Sequence, residues 1–196
     1  MDSATDFDIT LSAQKIFKGI MNAFSHPLQV YSVSDGMGGN PLTRGEDAAI
    51  TDLCCTFLDN TVSFYVHGSE TFTGDLQELT YARPALIEEA GFVIVRDIGG
   101  FDQWDKVYQG TLLDPHKGAT VIIETPRLDG ETEITAEGPG INGSLKCSVD
   151  RAIAECLRRI AALDIEYPKG FEVMFVTRQG DMFAVPRHVK IYGEGF

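Results

Sequence analysis

The stretch YPKGFEVMFVTRQGDMFAVPRHVKI, Tyr167–Ile191, decides how the chain should fold. Apolar, β-branched and aromatic residues predominate over Phe171–Val176, which favours a strand. The sequence RQGD at 178–181 supplies turn chemistry, because its glycine can adopt a positive φ. The chain then returns over Met182–Val185, and Pro186, which has no N–H to donate, ends the regular pairing. The stretch therefore predicts an apolar β-hairpin that the rest of the chain must cover.

Helical and strand patterns alternate through the remainder of the chain. A first helix is predicted from Ser12, as its N-cap, to Ser25. One wide apolar face of that helix is formed by the rows Ile16–Ile20–Phe24 and Phe17–Met21. Further helices are predicted at 46–58, 74–82, 84–89 and from a Ser148 cap to Ile160, and strands at 29–33, 62–67, 92–95, 119–123 and 132–137. The alternation predicts one α/β domain, residues 12–196, with a mixed sheet flanked by helices behind a flexible leader at 1–11.

The charge of the chain limits its partners. The 196 residues carry a formal net charge of −13, which argues against a nucleic acid or an anionic membrane surface as the main partner. The start, MDSATDFDIT, lacks the basic and apolar parts of a signal peptide. No apolar run approaches the roughly 20 residues of a membrane span. We therefore expect a cytoplasmic protein.

Familiar catalytic and cofactor motifs are missing from the sequence. It contains no GxxxxGK[ST] P-loop, no GxGxxG between a strand and a helix, no GxSxG elbow and no HExxH. Its cysteines and histidines show no metal-ligand spacing; they are Cys54, Cys55, Cys147, Cys156, His26, His67, His116 and His188. The sequence thus predicts no metal site built from neighbouring residues.

One loop concentrates three groups that could carry chemistry. The sequence DPHKG at 114–118 precedes a buried-strand candidate and brings Asp114, His116 and Lys117 into one turn. A carboxylate, an imidazole and an ammonium in one turn could bind an anion or transfer a proton. Asp-Pro and Lys-Gly are also ordinary turn dipeptides, so a purely structural turn is the competing interpretation.

Arg187, directly after Pro186, is the second candidate. Its guanidinium could offer parallel hydrogen bonds to a phosphate or to a partner's carboxylate. An ion pair at the surface or in an interface is the competing interpretation. Lys169 lies in the turn sequence YPKG, and nothing around it suggests a Schiff-base lysine.

Four segments, in this order and spacing, resemble the PhnH family, a subunit of the bacterial carbon–phosphorus (C–P) lyase system for phosphonate use. They are FKGIMNAFSHP at 17–27, GTLLDPHKGATVIIE at 110–124, GPGI at 138–141 and YPKGFEVMFV with GDMFAVPR at 167–187. The resemblance covers about residues 12–191. Each segment alone is a weak signal, but four in register are specific.

The chain departs from the family pattern at several positions. The family usually has glycine where Leu28 stands and aspartate where Glu172 stands. It commonly continues the Pro-Arg pair with threonines, whereas this chain has His188 and Val189. These differences concern the polar character of the end of the hairpin and not the fold.

The resemblance implies a homodimeric α/β domain similar to the large domain of pyridoxal-phosphate-dependent transferases, without the cofactor site and with no cofactor of its own. It implies action in a core complex with the companion subunits G, I and J. That complex couples a phosphonate to the C1 of ATP ribose, displacing adenine, and forms ribose 1-phosphonate 5-triphosphate. A radical-SAM subunit then breaks the C–P bond. That step needs an iron–sulfur cluster, and this sequence lacks the cysteine triplet that would hold one.

Two hypotheses follow. The first is a non-catalytic or half-site subunit of that assembly, with apolar surface buried by dimer and partner contacts. The second is an independent enzyme or binding protein for a phosphorylated small molecule, using Asp114, His116 and Arg187. The second requires these three residues to converge around a pocket.

Overall fold

The computed structural model describes residues 3–37 and 47–193. In chain order its α-helices are α1 (Ser3–Ser25), α2 (Ala48–Phe57), α3 (Glu70–Thr80) and α4 (Arg151–Ala161). Its strands are β1 (Tyr31–Ser32), β2 (Ser63–His67), β3 (Arg83–Pro84), β4 (Phe92–Val95), β5 (Thr120–Glu124), β6 (Thr132–Glu137), β7 (Ser144–Val149), β8 (Glu172–Val176), β9 (Asp181–Val185) and β10 (Lys190–Gly193). Single 3-10 turns occupy Ser34–Gly36, Trp104–Lys106 and Pro115–Lys117.

The predicted hairpin is confirmed as the pair β8 and β9. The two strands run antiparallel, with Val173 opposite Val185 and Val176 opposite Met182. Gly180 adopts a φ of 88° in the connecting turn, a conformation that glycine tolerates at little cost. The hairpin forms one side of a seven-stranded mixed sheet, in the order β1-β9-β8-β5-β4-β2-β3.

Parallel pairing joins the centre of this sheet. Strand β4 pairs in parallel with β2 and β5, and β5 pairs in parallel with β8. Alternate residues of these strands enter two apolar clusters, one on each face of the sheet. The near-continuous apolar runs therefore reflect burial on both faces, as the sequence predicts. One face is covered by α1, α2 and α3 and the other by α4 and a second sheet.

That second sheet was not anticipated. It is antiparallel and has the order β10-β6-β7. Strand β10 pairs with β6 from Lys190 opposite Glu137 to Gly193 opposite Ile134. The chain beyond the hairpin thus leaves the main sheet and joins the second one. The α/β domain with a mixed sheet is confirmed, and the small antiparallel sheet is an addition to it.

Helix α1 differs from its prediction in length and exposure. It begins at Ser3, so Ser12 lies inside the helix and most of the predicted leader is helical. Ile16 and Ile20 are buried, whereas Phe17 and Met21 are 54% and 50% exposed. Only one of the two predicted apolar rows therefore packs on the sheet.

Two predicted helices required correction. The segment predicted as a helix at 84–89 is not helical: it starts with the last residue of edge strand β3, in which Arg83 pairs in parallel with Ser63, and forms a turn at 87–89. Pro84 fits an edge strand, where its missing N–H leaves no bond unmade. Helix α3 begins at Glu70, because the hydroxyl of Ser69 accepts a hydrogen bond of 3.2 Å from the backbone N–H of Phe72.

The start of α4 was also predicted two residues early. Ser148 and Val149 belong to β7, where Ser148 pairs with Glu133. Asp150 is the actual cap, since its carboxylate accepts a 2.8 Å hydrogen bond from the backbone N–H of Ala152. A carboxylate there also interacts favourably with the helix dipole. The helix predicted at 46–58 starts at residue 46, which lies outside the described ranges; the structure has α2 at Ala48–Phe57.

The connection from α1 to β1 carries an unusual backbone conformation. Leu28 has a φ of 63°, a left-handed conformation that costs a residue with a Cβ about 1–2 kcal/mol. Its N–H donates a 3.0 Å hydrogen bond to the carbonyl of Ala184 in β9. Its side chain is 7% exposed and joins the apolar cluster under α4. Burial of the side chain and the bond to β9 hold this conformation.

Candidate functional site

A groove at one end of the hairpin contains the candidate residue Arg187. Its volume is about 560 Å³, within the usual range of ligand pockets. The apolar wall includes Leu157, Ile160, Phe171, Val173, Val185 and Ile191. The polar rim comprises Tyr167, Lys169, Arg187, His188, Lys190 and Tyr192. We call this hollow, bounded by α4, β8, β9 and β10, the basic groove.

Arg187 is held in place by Glu172. The hairpin register places Glu172, the first residue of β8, beside the end of β9. The backbone N–H of Arg187 donates to one Glu172 carboxylate oxygen at 2.8 Å, and Nε donates to the other at 2.5 Å. The side chains are 10% and 23% exposed. The guanidinium is therefore oriented by a charge-assisted pair that is largely shielded from water.

Arg187 also contacts the loop that carries the other candidate residues. Its Nη1 donates a hydrogen bond to the carbonyl of Pro115. Beside this contact the two turns approach closely at Gly118, where a Cβ would overlap the carbonyl oxygen of Gly170. Gly170 itself has a φ of 139° and donates its N–H to Gln109. Two sequence-distant turns are thus packed backbone to backbone at the edge of the basic groove.

The loop residues themselves are exposed. Lys117 Nζ lies 2.9 Å from Asp114 Oδ2, and this bond holds the pKa of Asp114 below its usual value and that of Lys117 above it. The imidazole of His116 is exposed. In the described residues, no hydrogen bond or ion pair joins Asp114, His116 and Arg187 side chain to side chain. The structure brings Arg187 to the loop backbone, but it does not preassemble a catalytic trio.

The rim of the basic groove concentrates positive charge in an acidic chain. Lys169, Arg187, His188 and Lys190 line it, and no Asp or Glu residue does. Two of these cations have carboxylate partners next to the groove, since Glu172 pairs with Arg187 and Glu166 lies 3.6 Å from Lys169. Tyr167 packs against His188 with ring centroids 5.1 Å apart. A net charge of −13 repels anions elsewhere. The basic groove therefore gathers basic side chains on a chain whose net charge is negative.

A second charged cluster was missed by sequence reasoning. Glu124, 8% exposed at the end of β5, accepts hydrogen bonds from Nε of Arg96 and, at 3.1 Å, from Nε of Arg178. Arg96 also pairs with Asp47 at 2.5 Å and lies 4.3 Å from the ring centroid of Phe72. The sequence did contain a signal for it: Arg96 and Glu124 each come directly after a predicted apolar strand. The cluster ties the carboxyl ends of β4 and β5 to the hairpin turn.

Other site types find little support in the described ranges. No helix there is long and apolar enough to cross a membrane. No group of three or more His, Cys, Asp and Glu residues in the same ranges could hold a metal ion. Cys54 and Cys156 are buried free thiols, and desolvation raises their pKa above the usual range. Such thiols are poor nucleophiles.

Comparison with known proteins gives two findings. A family model described as "Bacterial phosphonate metabolism protein (PhnH)" matches residues 6–192. The putative C-P lyase subunit protein HtxG of Stutzerimonas stutzeri is 24% identical over 182 residues, covering 92% of this chain and 87% of the relative. The family match includes the basic groove and the hairpin.

Proposed function

The chain belongs to the PhnH family of bacterial phosphonate metabolism proteins, and from this premise we propose that it is a subunit of a C–P lyase assembly. In that role it is needed for forming ribose 1-phosphonate 5-triphosphate from ATP and a phosphonate. The observation that carries the proposal is the family match over nearly the whole chain. The description of the Stutzerimonas stutzeri relative as a putative C-P lyase subunit supports it.

The exposed apolar residues favour a subunit over a self-contained enzyme. Large apolar side chains at least half exposed are Phe17, Met21, Val30, Tyr81, Leu86, Leu112, Leu113 and Tyr167. Leu112 and Leu113 are neighbours in the chain, and exposed apolar residues that cluster are typical of interaction surfaces. We propose that these surfaces are buried by a second copy of the chain and by the companion subunits G, I and J, in the cytoplasm.

Within that assembly, we assign the basic groove to anion binding. Glu172 and the Pro115 carbonyl fix the guanidinium plane of Arg187, so little rotational entropy is lost when an anion binds. The occupant would be a phosphate or phosphonate oxygen, or a carboxylate of a partner subunit. Asp114 and His116 stay proposed contacts at its edge, where a ring N–H of His116 could donate a hydrogen bond.

The main sheet is also proposed to resemble that of a cofactor-binding enzyme family. Similarity to the large domain of pyridoxal-phosphate-dependent transferases remains a proposal, supported by the parallel centre of the sheet. No lysine follows β2, β4, β5 or β8 within three residues. Treatment with pyridoxal phosphate and borohydride should therefore leave no lysine specifically labelled. Specific labelling of one lysine would contradict the lost-cofactor part of the proposal.

One observation supports a second candidate function, an independent protein that binds a phosphorylated small molecule. Arg187 lies against the backbone between Asp114 and His116, so one anion could contact both the loop and the groove. In that case the isolated chain should melt at a higher temperature with phosphonates, nucleotides or phosphorylated sugars present. The subunit proposal expects a shift that Arg187→Ala abolishes only when the companion subunits are present.

Complementation tests the proposed function. A strain lacking this gene should not grow with a phosphonate as its sole phosphorus source, and the wild-type gene should restore growth. An Arg187→Ala variant should restore growth poorly, whereas Lys146→Ala, on the distant strand β7, should restore it fully. Normal growth of the deletion strain on phosphonate would contradict the proposal.

A further inference from the structure

A second hollow lies at the opposite end of the hairpin, where β5 and β8 end. Its volume is about 410 Å³. The floor is apolar and consists of the buried side chains of Leu28, Leu128, Val149 and Phe183. Parallel strands of α/β proteins commonly present ligand sites beyond their carboxyl ends. We call this hollow, between the hairpin turn and the end of β7, the mixed-charge cleft.

The rim of the cleft carries charges of both signs. Arg127, Asp129 and Asp181 line it, together with the polar side chains of Ser148 and Gln179. The Arg127 guanidinium is 56% exposed; its Nε donates to the Asp129 carbonyl at 2.7 Å and lies 3.6 Å from the Asp129 carboxylate. Exposed pairs of this kind contribute little to stability. The guanidinium can therefore exchange its partner for a ligand.

Asp181 faces the cleft with its carboxylate unengaged. Its backbone N–H donates to Thr177 Oγ1 at 3.2 Å, and its carbonyl accepts from the Thr177 N–H at 2.9 Å. Within residues 3–37 and 47–193, its side chain takes part in no hydrogen bond or ion pair. In those ranges the two Nη groups of Arg127 likewise donate no hydrogen bond, and its Nε lies 4.0 Å from the Asp150 carboxylate. The half-buried Asp181, at the first position of β9, is thus held in place by its backbone hydrogen bonds, and its carboxylate can accept a hydrogen bond from a cationic group.

The balance of charge selects the ligand. A simple anion would gain Arg127 but face two carboxylates, and a simple cation would face the guanidinium. A molecule with both an ammonium and an anionic group satisfies both sides. We propose that the mixed-charge cleft binds a small amphoteric molecule, with its ammonium at Asp181, its anionic group at Arg127 and its short carbon chain on the apolar floor.

Leu28 shapes that floor at a cost in backbone conformation. It holds a left-handed φ of 63° while its side chain lines the cleft. Backbone strain of this kind is often found at ligand sites. Glycine would adopt this conformation freely but would leave the floor incomplete. The strained leucine fits a floor matched to a short carbon chain.

The anionic group could be a carboxylate or a phosphonate, and the phosphonate case rests on the proposed function. Titration calorimetry or NMR with the full chain distinguishes the two sources, using β-alanine and aminoethylphosphonate as probes. Ethylphosphonate and ethylamine, which lack one charge each, are the matched controls. Wild-type protein should bind at least one amphoteric probe about ten-fold or more tightly than either control, since each charged hydrogen bond adds roughly that factor.

Binding of β-alanine without aminoethylphosphonate would keep the cleft assignment and remove its phosphonate source. That outcome would not bear on the subunit proposal, which the growth assay tests separately. A failure of the cleft inference can therefore be told apart from a failure of the subunit proposal. Equal binding of amphoteric probes and controls would overturn the inference. So would the absence of binding at millimolar concentrations.

Three substitutions locate the bound probe. Asp181→Asn should remove the preference for the ammonium, so that the amphoteric probe binds no better than its singly charged analogue. Arg127→Gln should weaken the amphoteric probe about ten-fold or more. Glu133→Gln, which removes the carboxylate of an exposed pair with Lys146 on the second sheet, is the control and should change nothing. Binding that survives Asp181→Asn but is lost in Arg187→Ala would place the ligand in the basic groove and overturn the inference.

Discussion

The two ends of one hairpin are built differently. At the basic groove, Arg187 is clamped by Glu172 and by the Pro115 carbonyl. At the mixed-charge cleft, Arg127 and Asp181 have exposed or unengaged groups. The same pair of strands therefore supports a preorganised cation at one end and an exchangeable set of charges at the other. The comparison teaches that charged groups held rigidly before a ligand binds and charged groups free to change partner can lie on the same two strands.

The close packing beside the basic groove provides the largest test of this contrast. Gly118→Ala should lower the free energy of unfolding by about 3 kcal/mol, because the new methyl group meets the Gly170 backbone and the turn must shift. Gly74→Ala is the control: nothing lies within 4 Å of its added Cβ. That change should stabilise α3 by about 0.5–1 kcal/mol. Urea unfolding measures both, and an unchanged Gly118→Ala variant would contradict the packing of the two turns.

The clamp on Arg187 predicts the next largest effect. Arg187→Ala should cost about 2–3 kcal/mol, because the shielded Glu172 carboxylate loses its charged partner and keeps only the backbone N–H of residue 187, and the Pro115 carbonyl loses its donor. Lys190→Ala removes an exposed basic residue from the same rim and should change the free energy of unfolding by less than about 0.5 kcal/mol. Similar values for the two variants would mean that the basic groove is not preorganised.

The cleft should respond in the opposite way. Arg127→Gln and Asp181→Asn should each change the free energy of unfolding by less than about 0.5 kcal/mol, since neither breaks a shielded pair. Chemical denaturation of these variants beside Arg187→Ala sharpens the contrast between the two ends. A loss above about 2 kcal/mol in either cleft variant would show that these charges are structural.

Cys147, which lines the cleft, supplies a small but specific readout. Burial raises its pKa, so the folded chain holds less thiolate than the unfolded chain near pH 8. The folded protein should react slowly with a disulfide reagent at that pH, and faster as the pH rises through the raised pKa. A bound amphoteric probe should slow the reaction further. Labelling of Cys147 at the rate of an unfolded thiol would contradict its shielding.

Much of the main sheet was predictable because its signals are local. The hairpin turn RQGD and the apolar runs around Val93 and Ile122 specify strands regardless of their partners. The second sheet was not predictable, because β6, β7 and β10 are half-exposed and their pairing joins residues far apart, such as Ile134 and Gly193. The local pattern of apolar and turn residues predicts where each strand lies. Which sheet a strand joins depends on pairing between residues far apart in the chain.

The candidate site was only partly accessible from the sequence. Arg187 was identified, and the hairpin register alone already places Glu172 beside it, so that pair could have been foreseen. The contact of Arg187 with Pro115 joins residues 72 positions apart, and no local pattern encodes it. Arg96 and Glu124 lie 28 positions apart on neighbouring strands, and their pairing follows only from strand order. Asp114 and His116 remain predicted contacts of the basic groove.

Co-purification tests the central claim, membership of a C–P lyase assembly, most directly. The chain should be tagged at its chromosomal locus in the native host, grown on a phosphonate, and purified under mild conditions. Mass spectrometry should then find the companion subunits G, I and J in constant proportion to the chain. Recovery of the chain alone, from cells in which those companions are expressed, would contradict the account.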